Sequence, residues 1–354
     1  MTSERAWRLR LLAAVGAAAG SVAVQSACIV GDSSCPDDAI RQDKCFTKAE
    51  LAADVNPDAA AGSDGGTAAC PSAQRIQETR LNGFHVESVS DNGDTCCYRG
   101  YYPCEGRPLL RGDEPVLAPT VPRGDWCFDD ASNPTELHLD PATRAALASA
   151  WARDAAFEHA SIASFANFIV ELLAFGAPAE LVADAQRALG DEVRHAELCY
   201  ALASRYAGRR VGPGPLEVPA FAPRSLRDAA VAAFREGCIV ETQAAYAARL
   251  RLELATDPTV RRTLEQIVPD EERHAELAYR FVRWALDRDP TILADLERVF
   301  DGVCASFAEP DSRDGNDAET WRAHGQLPPW ERRRNAHAAI ERIIKPCWRV
   351  LAAA

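Results

Sequence analysis

Beyond its first two dozen residues the chain has no run of 18 apolar residues. It also has no paired Cys-x-x-C motifs and no excess of positive charge. Each absence narrows the function. A membrane-crossing helix needs about 20 apolar residues, so none is expected after the N-terminus. Structural zinc sites use cysteine pairs at short spacing, and that pattern is missing. A formal net charge of -13 argues against nucleic acid and anionic membrane surfaces as partners. What is present is globular: 354 residues, 47% hydrophobic and 26% charged, enough for one or two domains.

The N-terminus reads as an export signal. Arg5, Arg8 and Arg10 precede an apolar run from Leu11 to Val24. Cys28 follows Gln25-Ser26-Ala27. The two small residues resemble a bacterial lipoprotein signal, whereas Gln25 stands where an aliphatic residue belongs. Ordinary cleavage, after Ser21-Val22-Ala23, is the alternative. Residues 1–27 are therefore expected to be a signal peptide, and the protein to be periplasmic, an outer-membrane lipoprotein or secreted. Any membrane contact would be made through a lipid on Cys28.

Eight of the 12 cysteines lie before residue 128: Cys28, Cys35, Cys45, Cys70, Cys96, Cys97, Cys104 and Cys127. In an exported chain such clustering means disulfides. Residues 28–69, rich in Asp, Ala, Gly and Pro, read as a flexible tether. Residues 70–139 read as a small disulfide-held module, with bridging expected across 35–127. Cys304 and Cys347 are expected to pair, and Cys199 and Cys238 to be buried free thiols.

From Asp140 onward the pattern is helical. Asp140-Pro141 and Asp257-Pro258 each give a capping residue followed by proline at the first helical position. Helices are expected from Asp140 to Gly176, from Pro178 to about Ala207, from Ser225 to about Thr256 and from Asp257 to Asp289, with Pro269 kinking the last. Residues 289–354 add two C-terminal helices, to about Phe307 and from about Trp330 to Lys345. Short turns near Gly176 and Asp257 make two antiparallel hairpins. Arg209 to Arg224 can extend about 53 Å, against about 45 Å for a 30-residue helix. The crossover can thus run the length of the bundle. It is expected to start the third helix at the same end as the first.

Two stretches carry the chemistry: Asp191-Glu192-Val193-Arg194-His195-Ala196-Glu197-Leu198-Cys199-Tyr200 and Asp270-Glu271-Glu272-Arg273-His274-Ala275-Glu276-Leu277-Ala278-Tyr279. Only Val193/Glu272 and Cys199/Ala278 differ between them. Each contains Glu-x-x-His, which puts a carboxylate and an imidazole on one helix face, where both can bind one metal ion. Each partner helix offers one more carboxylate at a similar height. Glu158 serves the first hairpin; Glu241 is preferred over Glu236 for the second. His159 points about 100° away from Glu158 and is not counted as a ligand. His85, His138, His324 and His337 read as surface.

On these motifs residues 141 to about 288 resemble the di-iron carboxylate proteins of the ferritin-like superfamily. The doubled Asp-Glu-x-Arg-His looks like the pattern of its bacterial multicomponent monooxygenases. The resemblance implies a mainly α fold: a ferritin-like four-helix bundle with one long crossover at 140–288, flanked by the small N-terminal module and the C-terminal helices. It implies Glu158, Glu192, His195, Glu241, Glu271 and His274 as ligands to two iron ions. Asp191 and Asp270 would orient the histidines, since a metal-bound imidazole donates its other N–H to a carboxylate. Arg194 and Arg273 would balance that charge. Mixed oxygen and nitrogen donors suit iron or manganese. The expected function is an oxidoreductase reaction with oxygen or peroxide, the electron donor being unknown. Iron oxidation or sequestration, and a binding protein stiffened by its metal, are the alternatives.

Overall fold

A computed structural model describes residues 2–16, 42–55, 70–72, 76, 85–101, 107–112, 114–127, 138–305 and 318–353. The chain is mainly helical and forms two units. The smaller comprises Cys35–Pro103 with Gly112–Glu114; the larger comprises Met1–Ser34, Cys104–Arg111 and Pro115–Ala354.

The small unit is an antiparallel sheet of β1 (Gln42–Thr47), β2 (His85–Asp91) and β3 (Thr95–Tyr101), in the order β1-β3-β2. A helix, Lys48–Val55, follows β1. Its core among the described residues is little more than Leu51, Ile76, Cys96 and Tyr98. So few apolar side chains stabilise a fold poorly, and disulfides supply the remainder. Cys45 is bonded to Cys97, directly opposite it on β3, and Cys70 to Cys96.

Two boundaries differ from the sequence reading. The disulfide-bearing sheet begins with β1, inside the stretch read as a tether. At its other end, Pro115 onward belongs to the helical unit. Cys127 there is a free thiol, 3.2 Å from both Ser204 Oγ and the Val211 carbonyl, so bridging does not extend to residue 127. Cys28, Cys35 and most of the Asp54–Thr67 stretch lie outside the described residues.

The helical unit is built on α2 (Pro141–Phe175), α3 (Ala179–Ala207), α4 (Leu226–Ala233), α5 (Thr242–Leu254) and α6 (Pro258–Arg288), preceded by α1 (Thr2–Ala14). The caps explain the boundaries. Asp140 accepts the Ala142 and Thr143 N–H groups, and Gly176, in the left-handed region at φ 65°, ends α2. Asp257 accepts the Thr259 and Val260 N–H groups at the start of α6. It also receives both Arg205 Nη atoms, each at 2.9 Å.

Burial would raise the Asp257 pKa, but Arg205 and the two cap bonds leave it below the ordinary aspartate value. A depressed carboxylate contributes stability above its unfolded pKa of about 3.9 and loses it as pH falls through the folded value. Asp257→Asn should therefore destabilise the chain at pH 7, by about 3 kcal/mol for a broken buried pair. The gap to the parent in urea unfolding should narrow towards pH 3; an unchanged gap would contradict the assignment.

Between α4 and α5 the helix is π-wound from Phe234 to Glu241, which the sequence reading did not anticipate. Gly237 lies in this segment. A Cβ there would sit 2.3 Å from Ala278 Cβ, so glycine lets the wound segment press directly on α6. Pro269 is accommodated within a continuous α6.

The crossover also corrects an expectation. Arg224, just ahead of α4, binds Glu171 near the end of α2, and Arg251 near the end of α5 binds Asp154 in the first half of α2. The third helical rod thus starts at the end where α2 finishes and runs antiparallel to it. The reason is simple: α3 already returns the chain to where α2 began, and a crossing of full length arrives at the opposite end. On the way, β5 (Gly212–Pro213) pairs with β4 (Thr120–Val121).

The C-terminal segment holds more helix than expected. A 3-10 turn, Pro290–Ile292, leads into α7 (Leu293–Ala305), then α8 (Ala318–Ala323) and α9 (Pro329–Ala339). A π segment, Ile340–Ile344, passes into α10 (Lys345–Ala353), so the last helix runs past the predicted stop at Lys345. Cys347 is a buried free thiol rather than one half of a bridge to Cys304. It packs in the apolar core with Ile343, Ile344 and Trp348. Cys199 and Cys238 are buried and free. His324 is not plain surface: the Tyr206 hydroxyl lies 2.8 Å from its Nδ1.

Among the described residues no helix is long and apolar enough to cross a membrane. The basic-apolar stretch at the N-terminus begins as α1, where Trp7 and Leu11 are fully buried, as is Val15 just past its end. The spacing of four between Trp7 and Leu11 places them on one helix face. Arg10, beside them, donates to Glu272 at 2.6 Å. A chain starting at residue 28 would lose this burial, roughly 1.5–3 kcal/mol for each large apolar side chain. Its urea-unfolding free energy is expected to fall by at least about 3 kcal/mol relative to the full chain. Equal stability of the two forms would show that α1 contributes nothing to the fold.

Candidate metal centre

The two Glu-x-x-His pairs meet inside the helical unit. On α3, Glu192 and His195 share a face one turn apart; on α6, Glu271 and His274 do the same. The pairs are interleaved. His195 Nδ1 lies 3.1 Å from Glu271 Oε1, and His274 Nδ1 lies 3.1 Å from Glu192 Oε1. Each glutamate therefore faces the histidine of the other helix. The two imidazole centroids are 5.8 Å apart.

Glu158 on α2 approaches His195 Nδ1 at 3.8 Å. Glu241, at the end of the π segment, completes the far side. The extra backbone residue of a π turn changes which side chains face inward, and such turns occur often at functional sites. Here Glu241 is 1% exposed inside the cluster. Glu236 points elsewhere, to the buried Arg107 guanidinium at 3.4 Å. Of the two candidates on this rod, Glu241 is the one brought to the site.

The result is two overlapping donor groups, Glu158/Glu192/His195/Glu271 and Glu241/Glu271/His274, each with one atom per residue mutually within 4.8 Å. All six sequence-predicted ligands are in one or the other. They could hold metal ions.

No protein-family model, curated protein or solved structure matches the chain.

Behind the histidines the aspartates cross over. His195 Nε2 lies 3.2 Å from Asp270, and His274 Nε2 lies 3.3 Å from Asp191. Each motif thus supplies the carboxylate that holds the other motif's imidazole. An N–H on Nε2 leaves the Nδ1 lone pair directed at the glutamates, the tautomer a metal ligand requires. Sequence spacing could not show the crossing, because it depends on how α3 and α6 face each other. One guanidinium joins the two halves: Arg273 bonds to both Asp191 and Asp270. Arg194 takes a different partner, Gln266, at 3.4 Å.

The polar atoms aimed at the centre fit a cation. Glu192 Oε2, both carboxylate oxygens of Glu241, and the Nδ1 atoms of His195 and His274 are buried without a hydrogen-bond partner. Buried polar groups are normally satisfied, and five converging exceptions mark a place for a ligand. The electrostatics agree. Burial, reinforced by neighbouring carboxylates, pushes Glu192 and Glu241 well above the ordinary carboxyl range. Burial acts likewise on Glu271, but His195 and His274 outweigh it and hold that carboxyl low. Burial opposes charge on His195, yet Asp270, Glu158 and Glu271 raise its pKa well above the usual imidazole value. Without a metal ion, protons take the place of cations in a cluster that carries too much negative charge.

Phe165, fully buried on α2, packs edge-on against His274 at 5.3 Å between centroids. His159 turns away from the cluster and packs edge-on against Trp126, which accounts for its absence from the donor set.

Proposed function

We propose that this chain is a di-metal carboxylate protein of the ferritin-like kind, carrying two iron or manganese ions and acting on oxygen or peroxide in an oxidoreductase reaction. The observation that carries the reading is the pair of interleaved Glu-x-x-His motifs, each histidine backed by the other motif's aspartate. Four glutamates and two neutral imidazoles bring four negative charges, a balance suited to two divalent or trivalent ions. Oxygen-rich donors with one nitrogen per ion favour iron and manganese over thiolate-seeking metals. Bound there, such ions would supply the electrons that oxygen or peroxide chemistry needs. The chain's own contribution is to fix the donors, hold the imidazole tautomers through Asp191 and Asp270, and exclude water with Phe165 and its neighbours. The two disulfides favour an oxidising compartment, in keeping with an exported protein.

One observation favours a second reading: apart from Glu158 the ligand side chains are almost fully buried, as they would be around a metal that only stiffens the helices. Elemental analysis of the purified full chain, followed by oxygen-electrode measurements after loading with Fe(II), separates the two. Two ions per chain with oxygen consumption support the oxidoreductase. Two ions without consumption leave the stiffening role, and fewer than two defeat the di-metal reading.

A further inference from the structure

The six ligands are not equally accessible. Glu158 keeps 20% of its side chain exposed, whereas His195 beside it is fully buried. Glu241, at the other end of the cluster, is 1% exposed and His274 2%. Glu192 and Glu271, between the two, are also buried. Glu158 thus sits where the cluster meets solvent. The Glu241 end is closed on two sides: Phe165 lies against His274, and the π segment is pressed onto α6 at Gly237 and Ala278.

We infer that the two ions exchange with solvent at very different rates, the ion at the Glu158 edge fast and the ion at the Glu241 end slowly. The ion held at Glu158 and His195 is the exchangeable one. The ion held at Glu241 and His274 enters by the same edge and is retained by its own buried ligands. This rests on the proposed di-metal site and adds an order of loading and a route to it. An ion leaving the inner position must shed buried carboxylates with no water ready to replace them, because burial excludes it. An ion at the outer position can trade Glu158 for water one ligand at a time. The same edge is the route by which a small oxidant would reach the ions.

The test uses the full chain loaded anaerobically with Fe(II) and then challenged with excess ferrous chelator, release being followed by absorbance. Two phases are expected, about one equivalent each, the slow one at least ten-fold slower. Glu158→Ala should bind about one ion and show the slow phase alone. Glu241→Ala should bind about one ion and show the fast phase alone. Circular dichroism and urea unfolding of each variant establish that it is folded, and His159→Ala, beside Glu158 but facing Trp126, should retain both phases. Release of two ions in one phase overturns the inference and leaves the di-metal reading intact. So does a fast phase that survives in Glu158→Ala. Fewer than two ions bound by the parent chain overturns both.

Discussion

Replacing Glu271 by alanine is expected to remove both ions at once, the largest effect of any single ligand substitution. Glu271 alone belongs to both donor groups, and its Oε1 lies 3.1 Å from His195 Nδ1 although it shares a helix turn with His274. Its carboxyl is also the one held below the usual range despite burial, so it is the ready anion of the cluster. Elemental analysis should give close to zero ions per chain for Glu271→Ala, against about two for the parent. A variant retaining one tightly held ion would show that Glu271 serves a single ion. Glu236→Ala is the control, since that carboxylate pairs with Arg107 outside the cluster. It should keep both ions while losing stability, because it leaves a guanidinium that is 2% exposed without its ion-pair partner.

How much of this was legible beforehand follows from what sequence periodicity encodes. Helix faces are local, so Glu192 with His195 and Glu271 with His274 could be paired from spacing alone. Capping is local too, and Asp140, Gly176 and Asp257 marked boundaries that the structure keeps. Relations between helices were less accessible. That Asp270 serves His195 and Asp191 serves His274 depends on the facing of α3 and α6. The direction of the third rod depends on how the chain crosses the helical unit, and counting residues gave the right reach with the wrong end. The π segment left no periodic trace, because one extra residue in a turn looks like noise in a pattern as short as Phe234 to Glu241. Its trace was Gly237, a small residue where α6 comes too close for a side chain. Cysteine pairing was legible as a tendency only. Clustering pointed to disulfides, but it could not tell that Cys45 would join the sheet while Cys347 stayed in an apolar core.

The crossed aspartates lead to the second large effect. Asp191→Asn and Asp270→Asn should each weaken metal binding about 10–100-fold, the usual consequence of releasing a carboxylate behind a metal-bound histidine. Asparagine keeps the size of the side chain but can present its amide to the imidazole, which favours the wrong tautomer. The geometry further fixes which ion suffers. Asp270 lies on α6, yet it holds His195 on α3 at 3.2 Å; Asp191 lies on α3, yet it holds His274 on α6 at 3.3 Å. Asp270→Asn should therefore weaken the ion at Glu158 and His195, and Asp191→Asn the ion at Glu241 and His274. Titration with Co(II), read through the visible bands of each site and by calorimetry, resolves the two affinities. If each substitution instead weakened the ion of its own motif, the crossing would be wrong. Arg273 supplies the check on coupling, since it bonds to both aspartates. Arg273→Ala should loosen both ions by a smaller factor, whereas Arg194→Ala, at the matching position on α3, should disturb neither ion to the same degree.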